Sequence, residues 1–169
     1  CIPGKRVFVT STTYSGNLLQ AAGAADGLAA GDKLCTQAAQ AAALGGTWKA
    51  WLSVKGTDAK TRMAGVVGGW YLLDGTKVFN NAANLTTQPL ANIRMTEQKT
   101  VINSGTSVWT GTLNGGAAGP SNCLDWTATI GPMGTSPVAT IGDAVFASNW
   151  TDGSTLFCSS SARLYCFEQ

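Results

Sequence analysis

The sequence predicts a mixed α+β domain clamped by disulfides, and three observations carry that reading. Four of its five cysteines, Cys35, Cys123, Cys158 and Cys166, are distributed with one near the start and three in the last third. One Ala-rich stretch has apolar residues at helical spacing. The remainder consists of short runs of β-forming residues separated by Gly-rich and polar segments. With 169 residues, 44% of them apolar, and six tryptophans, the chain is long enough to bury a substantial core. No linker, repeat or change of composition divides it, so residues 1–169 read as a single domain.

Arg6-Val7-Phe8-Val9-Thr10 is a short strand, ended by the polar segment Ser11 to Gly16. Asp32 is the expected N-cap and Gly45 the closing glycine of a helix in which Leu34, Cys35, Ala38, Ala41, Ala42 and Leu44 form an apolar stripe. Thr47 to Ser53, rich in strand formers, is expected to pack against that helix, with Trp48 and Trp51 in the core. Asp58 to Arg62 suggests a helical turn. Val66 to Leu73 and Lys77-Val78-Phe79, joined through Asp74-Gly75, read as a hairpin. Val101-Ile102 and Val108-Trp109-Thr110 are strand candidates, while Gly111 to Asn122 and Gly131 to Gly142 read as Gly-rich loops. Val145-Phe146-Ala147 and Trp150 precede the last cysteine pair. Leu164 and Cys166 alternate with Arg163 and Tyr165 as in a terminal strand.

Four cysteines allow three pairings. Cys166 lies inside the terminal strand and can face a core helix, whereas Cys158 precedes it beside a loop, so a nested arrangement is the simplest fit. Each bridge would stabilise the domain by roughly 3–5 kcal/mol in the chain-entropy account. Such a framework belongs to an oxidising compartment.

Composition excludes several functions. Eleven basic and nine acidic residues give a net charge of +2 and no polybasic stripe for nucleic acid. The chain has no histidine, which removes the usual neutral-pH general base, the Ser-His-Asp and Cys-His arrangements, and every His-containing zinc site. Neither paired carboxylates nor a Ser-Lys dyad has a local signature. The expectation is therefore a protein that is not an enzyme.

Several segments, in order, carry a resemblance: Gly23-Ala24-Ala25-Asp26; Lys33-Leu34-Cys35; Ala42 through Ser53; Ser107-Val108-Trp109-Thr110-Gly111; Asn122-Cys123-Leu124-Asp125-Trp126; and Leu164-Tyr165-Cys166-Phe167-Glu168. Together they resemble the endostatin domain of collagens, and more closely a bacterial family of endostatin-like, C-type-lectin-like surface proteins. The resemblance spans nearly the whole chain. It implies an α+β, C-type-lectin-like fold with a twisted, mostly antiparallel sheet, flanking helices, long loops and terminal strands side by side. It also implies the nested bridges Cys35–Cys166 and Cys123–Cys158. Endostatin's zinc histidines are missing here, and its heparin-binding arginine cluster has no counterpart among Arg6, Arg62, Arg94 and Arg163.

Asn149-Trp150-Thr151-Asp152 is similar to the Trp-Asn-Asp motif of calcium-dependent lectins, making Asn149, Asp152 and Asp125 the calcium candidates. Calcium takes six to eight oxygens, more than these residues supply alone. The structural reading of Trp150 is core packing. Trp70, Tyr71, Trp109 and Trp126, beside Gly- and Ser-rich segments, are candidate ligand-binding aromatics, with Lys77 and Arg94 as basic companions. Structural packing is the favoured reading of these aromatics, and a solvated face the default for the two cations. Cys1 resembles the lipidated first residue of a mature bacterial lipoprotein, the alternative being a domain boundary. Membrane contact is expected only through such an anchor. The functional expectation is an extracellular or cell-surface adhesion module, an outer-membrane lipoprotein or the distal part of a surface protein. It would bind a protein or glycan and need no cofactor. A calcium-dependent lectin and a structural tip component are the alternatives.

Overall fold

The structure is a computed structural model that describes residues 4–169, so the reading of Cys1 as a lipidation site lies outside the described residues. In chain order the strands are β1 (Lys5–Val9), β2 (Tyr14–Ser15), β3 (Trp48–Ala50), β4 (Trp70–Tyr71), β5 (Lys77–Phe79), β6 (Ser107–Trp109), β7 (Val138–Asp143), β8 (Ser154–Phe157) and β9 (Ser161–Glu168). The helices are α1 (Leu18–Ala22), α2 (Gly27–Ala41) and α3 (Ala59–Met63), and a further helical turn spans Cys123–Trp126.

β9 is the strand on which the sheet is built. The sheet runs β5-β4-β1-β9-β6-β7-β8, and β2 and β3 also pair with β9. Along the C-terminal half of β9, β1 pairs antiparallel on one edge (Val7 opposite Phe167, Val9 opposite Tyr165) and β3 on the other (Trp48 opposite Glu168, Ala50 opposite Cys166). Its N-terminal half takes β2 antiparallel and β6 parallel. Leu164, Tyr165, Cys166 and Phe167 are all buried. The expected alternation is thus present, but both faces are covered, as befits a central strand.

Two different layers cover those faces. On one, Cys166 is bonded to Cys35 of α2. On the other, Phe167 joins an aromatic cluster, with ring centroids 5.8 Å from Trp51 and 5.5 Å from Trp70; Trp150 lies 4.9 Å from Trp51 and 5.2 Å from Phe79. All six indoles are buried, and each donates its N–H: Trp48 to Gly45 O, Trp51 to Thr151 Oγ1, Trp70 to Glu168 O, Trp109 to Tyr14 O, Trp126 to Ser53 O and Trp150 to Thr87 O. Each ring therefore contributes apolar burial without an orphaned donor.

Several boundaries differ from the sequence reading, each for a packing reason. α2 begins nearly two turns earlier, capped by Asp26, whose side chain accepts from Ala29 N at 2.8 Å. Asp32 lies inside the helix instead, accepting from Ala50 N at 2.9 Å and pairing with Arg62, whose Nη2 lies 2.6 and 2.7 Å from the two carboxylate oxygens. A polar residue that looks like a cap thus ties helix, β3 and α3 together. The helix also ends before Gly45: Ala43 adopts φ 54° while Leu44 N donates to Ala39 O and Ala43 N to Gln40 O, the paired bonds of a Schellman ending.

Gly131 to Gly142 is not wholly a loop, since its second half is β7, paired with β6 and β8. Gly142 misleads because it marks close approach within a strand. A Cβ there would lie 1.7 Å from Trp150 O. Val101-Ile102 forms only an isolated bridge from Val101 to Met95. The hairpin is real but short: Trp70–Tyr71 pairs with Lys77–Phe79, and Leu72 and Leu73 already belong to its turn.

Two disulfides, Cys35–Cys166 and Cys123–Cys158, close separations of 131 and 35 residues. They point to an oxidising environment. No helix among the described residues is long and apolar enough to cross a membrane.

Replacing Cys35 and Cys166 together by alanine is expected to lower unfolding free energy by roughly 5 kcal/mol, and removing Cys123–Cys158 by roughly 4 kcal/mol, measured by urea denaturation. A second prediction concerns acid. Burial opposes ionisation of Glu168, but hydrogen bonds from the Arg6 side chain and backbone, with the charges of Arg6 and Lys5, outweigh it and hold the carboxyl below its ordinary value. Arg6 grips Glu168 with Nε at 2.6 Å and Nη2 at 2.5 Å, and donates Nη1 to Leu44 O at 2.5 Å. Stability from a depressed carboxyl is complete above its unfolded value, about 4.3, and is lost as pH falls through the lower folded one. Melting curves from neutral to strongly acid pH should therefore fall less steeply for Glu168→Gln, which starts from lower stability at neutral pH.

Candidate functional site

The most unusual local structure is the helical turn Cys123–Trp126. Its four residues have φ of 54°, 53°, 57° and 65°, so the turn is left-handed throughout. For residues with a Cβ this conformation costs about 1–2 kcal/mol each. Neither Leu nor Trp favours it.

The turn persists because tertiary contacts hold both ends. Cys123 is buried and bonded to Cys158, whose carbonyl accepts from Gly16 N at 2.8 Å. Trp126 is buried 6.0 Å from Trp109 and donates its indole N–H to Ser53 O at 2.9 Å. Locally, Asn122 caps the turn: its Oδ1 accepts from Asp125 N at 3.0 Å and its Nδ2 donates to Asp125 Oδ1 at 2.7 Å. The same Asp125 oxygen accepts from Lys55 N at 3.0 Å. Trp126 N donates to Asn122 O at 2.9 Å.

Beneath the turn lies a buried hydroxyl network. Ser53 Oγ is 2.8 Å from Thr112 Oγ1 and accepts from Ala59 N, fixing the start of α3. Thr110 Oγ1 donates to Thr151 O at 2.6 Å. Polar groups satisfied in this way make a rigid platform.

With its ends pinned, the turn exposes its middle. Leu124 is 47% exposed, and Asp125 is exposed beside it. They border an open groove of about 620 Å³ whose other walls are Lys55, Gly56, Asn122 and Ala118 to Pro120. A second depression, between the start of α2 and Val54, Thr57 and Thr127, adjoins it through Asp125. The groove therefore offers the apolar side chains of Leu124, Ala118 and Pro120 together with one carboxylate, Asp125, and one lysine, Lys55, on a fixed backbone.

The residues singled out from sequence are placed elsewhere or differently. Trp70, Trp109 and Trp126 are fully buried, so no indole face is open to a ligand and the packing reading holds for all three. Tyr71 is partly buried, with Lys77 Nζ 5.5 Å from its ring centre. Arg94 is exposed and donates to Asn103 Oδ1 at 3.3 Å. These residues do not form one site. Of the calcium candidates, Asp125 belongs to the turn, Asp152 accepts from Asn114 N at 3.1 Å, and Asn149 is exposed. Among the described residues no three His, Cys, Asp or Glu side chains converge. Leu124 and Lys55 were not legible as site residues, since nothing in their types signals a left-handed turn.

Gly27, the first residue of α2, tests how tightly the turn is held. A Cβ at this position would lie 2.0 Å from Asp125 O and 2.7 Å from Trp126 Cβ. Gly27→Ala is therefore expected to destabilise the domain by about 1–3 kcal/mol, the usual effect of overpacking, and to perturb the amide resonances of Leu124 and Asp125 in a nitrogen–proton correlation spectrum. No family model matches this chain, and neither does any of the curated proteins compared with it.

Proposed function

We propose that this protein is a non-enzymatic extracellular module of C-type-lectin-like fold that binds another protein through the groove around Leu124 and Asp125. The observation that carries the reading is the left-handed turn. Backbone strain persists where surrounding structure over-determines it, and such places concentrate at ligand-contacting sites. Here the strain sits where the chain exposes the apolar Leu124 beside the Asp125 carboxylate, in a groove that Lys55 also lines, over a platform that cannot readily move.

The fold reading is supported by terminal strands β1 and β9 lying side by side, by α2 bonded to the last strand, and by an inner bridge in the loop-rich part. Endostatin-like domains are expected to share those features. A protein partner fits the groove better than a glycan does. Sugar rings favour an exposed aromatic platform, and none of the groove's walls is aromatic. The disulfides suit an extracellular setting, and attachment to a cell surface, through Cys1 or a neighbouring domain, belongs to the same proposal.

The test is a label-free binding panel of extracellular-matrix proteins, run beside a glycan array with and without calcium. Binding to at least one matrix protein is expected, unaffected by a chelator. Leu124→Asn should weaken it about tenfold or more, because an apolar side chain buried against a partner contributes on this scale. Asn tolerates the left-handed conformation, so the variant's melting temperature should be unchanged or higher. Binding that ignores Leu124→Asn, or that requires calcium and a sugar, would overturn the reading.

A further inference from the structure

We infer that Asn114-Gly115 is a self-modifying site, at which the asparagine side chain cyclises onto the glycine nitrogen and hydrolyses to aspartate and isoaspartate. It is the chain's single Asn-Gly step. Glycine is the residue that least hinders attack by its own backbone nitrogen on the preceding side chain, because no Cβ shields it.

The surroundings distinguish this step from the Asp-Gly steps. At Asp74-Gly75 and Asp152-Gly153 the glycine nitrogen is engaged, donating at 2.9 Å to Leu72 O and to Ile141 O. At Asp26-Gly27 the glycine is buried against Asp125 O at the start of α2. Gly115 N has no acceptor among the described residues, and neither does the Asn114 side chain, which is exposed. Among the described residues, the hydrogen bonds that hold the loop come from other groups than Gly115 N and the Asn114 side chain. Gly116 N donates to Leu113 O at 3.0 Å, Leu113 N to Ala117 O at 2.9 Å, and Asn114 N to Asp152 Oδ2 at 3.1 Å. Nucleophile and electrophile are thus adjacent and unoccupied, with Asn114 exposed and Gly115 partly so.

The chemistry balances with water alone. Gly115 N forms a bond to Asn114 Cγ and gives up its proton, the Cγ–Nδ2 bond breaks, and ammonia leaves a five-membered succinimide. Water then opens either ring carbonyl. One opening yields aspartate; the other yields isoaspartate, which routes the main chain through the former side chain and adds one methylene to the loop.

The products matter to their neighbours. A new carboxylate appears beside Asp152, whose like charge disfavours it, and the net charge falls from +2 by one unit. The extra methylene falls inside the Leu113–Gly116 turn. Gly116 O accepts from Lys60 N of α3 at 3.3 Å, and the strand-like return of the loop leads to Ala118 and Gly119. Modification thus loosens the wall of the groove without touching its left-handed turn.

The experiment is incubation of the intact, oxidised protein at mildly alkaline pH and physiological temperature, followed by ion exchange and peptide mapping. An acidic species should accumulate with one unit of charge lost, its amide-to-acid mass gain confined to the peptide containing Asn114, and isoaspartate detected there by a methyltransferase assay. Conversion should be several-fold faster than at any other asparagine. Asn114→Gln, which would need a slower six-membered ring, should abolish the species while keeping the wild-type melting temperature. The inference is overturned if Asn114 stays intact, if other asparagines convert as fast, or if Asn114→Gln forms the acidic species at the wild-type rate.

Discussion

Everything in this fold is referred to one strand and the bond that fixes it. β9 is paired on both edges and buried on both faces, and its Cys166 is joined to Cys35 in α2. A strand so enclosed cannot slip, because a one-residue shift would exchange the face carrying the disulfide for the face carrying the aromatic cluster. The register of the sheet, the docking of the helix and the position of the aromatic layer are therefore a single decision. Arg6 adds to it by gripping Glu168 at the end of β9 and the carbonyls that follow α2.

The same economy of anchors explains the strained turn. Four left-handed residues together cost roughly 4–8 kcal/mol, comparable with the roughly 4 kcal/mol expected from the inner disulfide. That bridge, the buried Trp126 with its indole hydrogen bond and the Asn122 cap act at successive positions along one short segment. The exposed pair Leu124 and Asp125 is what this arrangement leaves over. Its position is set by the core underneath.

Much of the fold was legible because its signals are local or covalent. Alternating β-formers located β1 and the end of β9, Ala-rich helical spacing located the middle of α2, and Asp74-Gly75 located the hairpin turn. Errors gathered where residues serve distant partners. Asp32 looked like a cap because caps and partly buried ion pairs both use short carboxylates, and only the approach of Arg62 distinguishes them. Gly142 looked like loop because a glycine admitting a neighbouring backbone is indistinguishable in sequence from one that turns the chain. For Trp70, Trp109 and Trp126 the packing reading holds, and residue type alone leaves it open because their burial depends on segments distant in the chain.

By itself the sequence determined the composition of the answer: an α+β chain with four cysteines available for bridges, no histidine for catalysis or zinc, and tryptophans enough for a large core. Those properties depend on residue type and near neighbours. The candidate site was decided only by tertiary structure. Cys123 and Trp126 disfavour the conformation they adopt, and it exists because Cys158, Ser53 and Gly27 meet them from other parts of the chain. Local preference and long-range packing oppose each other there, and packing prevails because covalent and buried contacts outweigh the backbone strain.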